Sequence, residues 1–204
     1  ITDLMKTPVG VVRSPEYFKN AKDIRVLSQV EATSIDRTSK VVKIKNLTTG
    51  AEDTLPYDKL VIATGASAIK PSLPGVELGN IYSLWHPDDA VAIRQGIEAG
   101  QFKRAVIIGA GLIGMEMAEA LTKQQLQITL VEMKDQVFPA FLDPEIAGIV
   151  SKYAIEQGIN LLTSEKVERF IGDTVVTAVE TDKRAIPADL VILAIGARPN
   201  VELA

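Results

Sequence analysis

The segment IIGAGLIGME, residues 107–116, carries Gly109, Gly111 and Gly114 at the spacing G-x-G-x-x-G. In a nucleotide-binding loop each glycine has its own task. The first permits a tight turn, the second lets a pyrophosphate approach the backbone, and the third lets a helix pack closely on a strand. A helix opening at this loop would add unpaired N–H groups and the positive end of its dipole for the phosphates. Leu112 and Ile113 lie inside the loop and belong to the same candidate contact. Glu132 follows 18 residues after Gly114. An acid at that distance, at the end of the next strand, accepts hydrogen bonds from the adenosine ribose of a dinucleotide. A 2′-phosphate would meet its negative charge, so the pattern favours NADH over NADPH, a preference that Lys134 softens. Glu116 has two readings that the sequence leaves open. It suits the first turn of a helix, or it faces the nicotinamide end of the site.

The elements that must position these residues follow from hydrophobic periodicity and turn chemistry. Ala105 to Ile108 reads as a strand leading into the loop. The following helix shows Ile113, Met117, Ala120 and Leu121 on one face. Gln127 to Val131 is the next strand. Asp143-Pro144 caps a helix with Ile146, Val150, Tyr153 and Ala154 as its inner face, ended by Gly158. Ile159 to Leu162 is a third strand, short strands fill 167–186, and Leu190 to Ile195 is a last buried strand. This succession predicts an open α/β sheet. Upstream, Ser14-Pro15-Glu16 starts a short helix through Phe18, and Pro87 starts another that runs to about Glu98. Strands are expected at Ile24–Leu27, Val30–Ile35, Lys40–Leu47 and Leu60–Ala63, the last buried on both faces. Pro71, Pro74, Gly75 and Gly79 mark residues 70–80 as a linker.

Composition excludes other chemistries. The 204 residues contain no cysteine and one histidine, His86, so neither a thiolate nucleophile nor a multi-histidine metal site can be built from them. The net charge of -4 and the lack of a basic run give no sign of a nucleic-acid partner. No apolar stretch approaches the roughly 18 residues of a membrane span. A small-molecule substrate and a cytoplasmic location are the expectation.

LPYDKLVIATGA, from Leu55, and IPADLVILAIGA, from Ile186, look like two copies of one ending. A shift of 131 positions superposes Pro56 on Pro187, Asp58 on Asp189, Ala63 on Ala194, Gly65 on Gly196 and Ala66 on Ala197. The same shift carries Gly109 ahead of Ile1. The chain therefore reads as the back part of one dinucleotide-binding fold followed by all of a second, and a longer parent protein is expected. Ligands in such sheets lie beyond the carboxyl ends of the strands. Gly196 should border the bound NADH, and Thr64-Gly65 the ligand of the first copy.

LVIATGA, GAGLIGMEMAE and LAIGARPN, in that order, resemble the FAD-dependent pyridine nucleotide-disulfide oxidoreductases. RSPEYF and the YDKLVIATGA spacing are most similar to the coenzyme A disulfide reductase, NADH oxidase and NADH peroxidase branch. The resemblance implies a Rossmann-like fold: residues 1–72 as a partial FAD domain, 73–197 as an NAD(P)H domain with a small β-meander, and 198–204 as the start of a return. It implies FAD contacts at Ala63, Thr64 and Gly65, with Gly109 to Gly114, Glu132 and Gly196 on the NADH and Glu116 near the nicotinamide. The branch's redox cysteine and first glycine loop are not in this sequence, and Leu112 stands where relatives often carry an aromatic. The implied parent is a homodimeric flavoenzyme passing a hydride from NADH through FAD to a disulfide, persulfide, peroxide or oxygen, this portion alone being inactive. The alternatives are a cysteine-free flavin reductase feeding a rubredoxin- or ferredoxin-type partner, and a stand-alone NAD-binding module.

Overall fold

A computed structural model describes residues 6–204. The chain divides into two compact units. One comprises residues up to Ala66 together with Pro199–Ala204; the other is Ser67–Arg198.

In the first unit, Ser14 accepts a hydrogen bond from the Tyr17 N–H at 3.2 Å and starts α1 (Pro15–Lys22), with proline at its first position. The helix runs one turn beyond Phe18 because nothing in Lys19–Lys22 breaks it; it stops where Asp23 turns left-handed. β1 (Val30–Asp36), β2 (Val41–Asn46) and β3 (Glu52–Pro56) form an antiparallel meander in that order. Its two turns use one device. Asp36 Oδ1 accepts from the N–H groups of Thr38 and Ser39, and Asn46 Oδ1 from those of Thr48 and Thr49.

Two expected strands do not form. Ile24–Leu27 and Leu60–Ala63 join no ladder among the described residues. Far from being buried on both faces, Val61 is 86% exposed, with Leu60 and Ile62 exposed beside it. A β-prone sequence becomes a strand only where a neighbour takes its N–H and C=O groups, and among the described residues the meander does not extend to either segment.

The chain passes through β4 (Ala66–Ala68) into the second unit. There follow β5 (Ile81–Tyr82), α2 (Pro87–Glu98), β6 (Arg104–Ile108), α3 (Leu112–Lys123), β7 (Gln127–Val131), α4 (Pro144–Glu156) and β8 (Asn160–Leu162). The antiparallel β9 (Val167–Gly172), β10 (Val176–Thr181) and β11 (Ala185–Pro187) come next, then β12 (Leu190–Leu193). β13 (Ala197–Pro199) pairs with β4. The central sheet is parallel, in the order β5-β12-β6-β7-β8. One face of it, with Ala105, Ile107, Leu130 and Ile192, packs on Ile93 of α2, Ala118 and Leu121 of α3, and Ala147 and Ala154 of α4. The other face, with Val106, Val131, Val191 and Leu193, packs on Phe170, Val176 and Val179 of the meander. The strands are covered on both sides, as their continuous apolar runs require.

The helices turn inward only part of the face that periodicity suggests: Leu121 and Ala154 are buried, and Met117 and Val150 pack against the core. On α3 the buried residues are Gly114, Ala118 and Leu121, while Ile113 and Ala120 are exposed. On α4 they are Ala147 and Ala154, while Ile146 and Tyr153 are exposed. Each helix has apolar residues on more than one face, and beside Leu121 the sheet receives the small Gly114, Ala118, Ala147 and Ala154, which allow a closer approach. Residues 70–80 are packed rather than a free linker. Leu73, Val76 and Leu78 lie against the second apolar cluster, and the Pro74 carbonyl accepts the Phe170 N–H at 2.8 Å.

Candidate functional site

In the parallel sheet, β6, β7 and β8 succeed one another in one direction, whereas β12 lies on the other side of β6. The gap between β6 and β12 is thus a switch point, where open α/β sheets bind ligands beyond the strand ends. A cavity of about 650 Å³ opens there, lined by Gly109, Gly111, Leu112, Ile113, Glu132 and Gly196 among others.

The glycine loop has the geometry its sequence called for. Gly109 adopts φ +101, and a Cβ on it would sit 2.5 Å from the Ala194 carbonyl oxygen. A Cβ on Gly114 would meet the Gly109 carbonyl oxygen at 1.9 Å, so α3 can start this close to β6 only with glycine there. A Cβ on Gly111 would meet nothing within 4 Å. The open side of the loop is therefore at Gly111, just where α3 begins and where the first-turn N–H groups lack partners within the helix. Space, donors and dipole coincide there, and a dinucleotide pyrophosphate fits the cradle.

Glu132 is 7% exposed, at the end of β7. Its Oε2 accepts from the Ala110 N–H at 2.8 Å and its Oε1 from the Lys134 N–H at 2.8 Å. The carboxylate thus ties the glycine loop to its own strand end. A carboxylate offers about four acceptor positions, so about two remain for further donors.

Not every singled-out residue reaches the cavity. Gly114 sits behind the loop as a packing residue. Glu116 is the fifth residue of α3, in its second turn and not its first; it is exposed and is not part of the cavity wall. Leu112, one turn before Glu116 on the same face, is 58% exposed and is part of that wall. Ala63, Thr64 and Gly65 belong to the other unit. Gly65 has φ +73, and Asn200 donates through Nδ2 to the Thr64 carbonyl at 3.0 Å. Thr64 Oγ1 in turn donates to the Asn200 carbonyl.

Motif reading missed Met133, Phe141 and Glu165, all in the cavity wall. Glu165 follows β8 at the same carboxyl edge as Glu132, a position that the strand-end rule could have flagged. Among the described residues no cluster of His, Asp and Glu is arranged to hold a metal, and no helix is long and apolar enough to cross a membrane.

Over residues 4–204 the sequence matches the pyridine nucleotide-disulphide oxidoreductase family. The chain belongs to that family. It is 40% identical over 195 residues to an NADH oxidase of Methanocaldococcus jannaschii, covering 95% of this chain and 43% of the relative. The chain thus spans less than half of that curated relative. Among solved structures, an NAD-dependent persulfide reductase from A. fulgidus superposes with a TM-score of 0.93 at 42% identity, covering all of this chain and 37% of that one. A water-forming NADH oxidase from Lactobacillus brevis, bound to NADH, superposes with a TM-score of 0.78 at 33% identity, over 85% of this chain and 38% of that one.

Proposed function

We propose that this family member supplies the NADH site, and part of the FAD-domain scaffold, of a flavin-dependent oxidoreductase. The parent enzyme passes a hydride from NADH through FAD to a disulfide, persulfide, peroxide or oxygen acceptor. The observation that carries this reading is the switch-point cavity, with open space above Gly111, the start of α3 and the buried Glu132 on one rim. In this reading the domains are 1–72 for the partial FAD domain, 73–197 for the NAD(P)H domain and 198–204 for the return. The compact units divide between Ala66 and Ser67 and again between Arg198 and Pro199, within a few residues of these bounds.

The residues act by holding and orienting. Gly109, Gly111 and the first turn of α3, with Leu112 and Ile113, seat the pyrophosphate. Glu132 takes the ribose hydroxyls. Gly196, at the end of β12, borders the nicotinamide end, and Glu116 faces it from the exposed side of α3 that Leu112 shares. Ala63, Thr64 and Gly65 border the flavin. A bound flavin would supply the two-electron redox chemistry that carries the electrons of the hydride onward. No cysteine of this chain receives them.

The test is anaerobic mixing of the full-length protein with NADH, read as loss of the oxidised flavin's visible absorbance. Rapid bleaching by NADH, slower bleaching by NADPH and no NADH turnover by the 204-residue chain alone are expected. A full-length protein without flavin, or one whose flavin NADH leaves oxidised, would overturn the reading. Re-oxidation by coenzyme A persulfide, peroxide or oxygen against a ferredoxin then assigns the acceptor.

A further inference from the structure

The cavity wall contains a second buried carboxylate that the proposed chemistry does not use. Glu165 is 2% exposed. Thr181, also buried, donates its hydroxyl to Glu165 Oε1 at 2.7 Å, and the Arg184 Nε lies 3.1 Å from the same oxygen. Both partners come from the turn between β10 and β11. That turn grips the neighbouring residues as well: Lys183 Nζ donates to the Ser164 carbonyl at 2.7 Å, and the Lys166 N–H donates to Asp182 Oδ1 at 2.9 Å.

The gripped segment in turn holds the end of β7. The Ser164 N–H donates to the Lys134 carbonyl at 2.7 Å and the Glu165 N–H to the Glu132 carbonyl at 3.1 Å. Glu132 then reaches the glycine loop through Ala110. The bonds run without a gap from the meander turn to the loop that cradles the pyrophosphate. A buried carboxylate is costly unless paired, and here its pairing fixes the backbone on which a ribose-binding acid is mounted.

We propose that Glu165, held by Thr181 and Arg184, is a positioning residue for the adenosine half of the dinucleotide. It acts through Glu132 and leaves the nicotinamide end untouched. This rests on the reading of the cavity as an NADH site. The effect should therefore appear in affinity and not in the rate of hydride transfer once the site is full. It should be the same for ADP-ribose, which has the adenosine half and no nicotinamide.

The experiment compares Thr181→Val with Thr181→Ser in the full-length protein. Thr181→Val keeps the shape and loses the hydroxyl; Thr181→Ser restores the hydroxyl. Calorimetric titration gives the affinity for NADH and for ADP-ribose, and stopped-flow flavin reduction gives the limiting rate at saturating NADH. Thr181→Val should weaken both ligands by a similar factor, about tenfold, with the limiting rate unchanged and Thr181→Ser close to wild type. Glu165→Gln, which keeps an acceptor for Thr181 but loses the charge facing Arg184, should fall between them. Unchanged affinity in Thr181→Val, loss confined to NADH, or failure of Thr181→Ser to restore binding overturns the proposal. If the unsubstituted protein binds neither ligand, the NADH reading itself falls. If it binds both and Thr181→Val does too, only the positioning role falls.

Discussion

Leu60–Ala63 and Val191–Ala194 are matched by the 131-residue repeat, yet they have opposite fates. Ile192 is fully buried in β12, between β5 and β6 and under α2, α3 and α4. Its counterpart Val61 is 86% exposed. Both copies carry a three-stranded meander whose last strand ends in proline, Pro56 in β3 and Pro187 in β11. Both exit at a glycine of positive φ, +73 at Gly65 and +107 at Gly196. What differs is the neighbours. The second copy has strands on both sides and layers on both faces, and among the described residues the first has neither. An apolar run is an offer of burial that other elements must take up. In the proposed parent, the elements that would take it up lie in the remainder of the FAD domain.

The largest expected effect tests that difference directly. Ile192→Ala should destabilise the 204-residue chain by about 2–5 kcal/mol, as large-to-small changes in a packed core do. Val61→Ala should cost within about 0.5 kcal/mol, because it removes methyls that already face solvent. Denaturant unfolding of both variants measures the contrast. Repeating it in the full-length protein sharpens it: the proposal requires the Val61→Ala cost to rise toward that of Ile192→Ala. Equal small costs at Val61 in both contexts would mean that the first copy is never completed.

The same contrast explains what could be read in advance. The parallel sheet, its three helices and the glycine loop were legible because each local signal agreed with its tertiary surroundings. Asp143 caps α4 as its sequence asked, accepting from the Ile146 N–H at 3.0 Å. Leu60–Ala63 misled because its pattern specifies burial by neighbours that the described residues do not bring to it. The inner faces of α3 and α4 were legible at Leu121, Met117, Ala154 and Val150 but not at their other positions, for another reason. Periodicity ranks residues by hydrophobicity, whereas close packing on a sheet selects for smallness, as at Gly114 and Ala118. In the site, Glu132 and the glycines were visible through their spacing. Glu165 was not, because its role depends on Thr181 and Arg184, which the meander turn brings back to it across the fold.

The glycines give effects of the next size. Gly114→Ala places a Cβ 1.9 Å from a backbone oxygen, so α3 must move from β6, at about 1–3 kcal/mol. Gly65→Ala meets nothing within 4 Å and pays only for its left-handed backbone, about 1–2 kcal/mol. Gly111→Ala separates folding from binding. With open space around it, it should leave the melting temperature unchanged while NADH affinity falls, since the added methyl occupies the place assigned to the pyrophosphate. A stability loss at Gly111 as large as at Gly114, or unchanged NADH affinity, would contradict the division of roles within the loop.

The smallest expected effect concerns Asp189 and its repeat counterpart Asp58. Asp189 Oδ1 accepts from Arg104 Nη2 at 2.6 Å, and Oδ2 accepts from the Lys103 and Arg104 N–H groups at 3.2 and 3.0 Å. The Arg104 guanidinium, helped by these amides, holds the Asp189 carboxyl below its usual range. Because the folded value is depressed, the unfolded chain binds this proton more readily. The stabilisation is therefore complete above the ordinary carboxylate pKa of about 3.9 and is lost as the pH falls through the lower folded value. Asp189→Asn should cost about 1 kcal/mol at neutral pH, and the gap to wild type should close in acid. Asp58 is exposed at the matching position, so Asp58→Asn should leave stability unchanged at neutral pH. Unfolding curves at neutral pH and in steps of falling pH below the ordinary carboxylate range decide the matter. A gap at Asp189 that persists in acid would mean that the amide bonds alone anchor the start of β12, and that the ion pair with Arg104 adds nothing to holding the strand on which Gly196 is mounted.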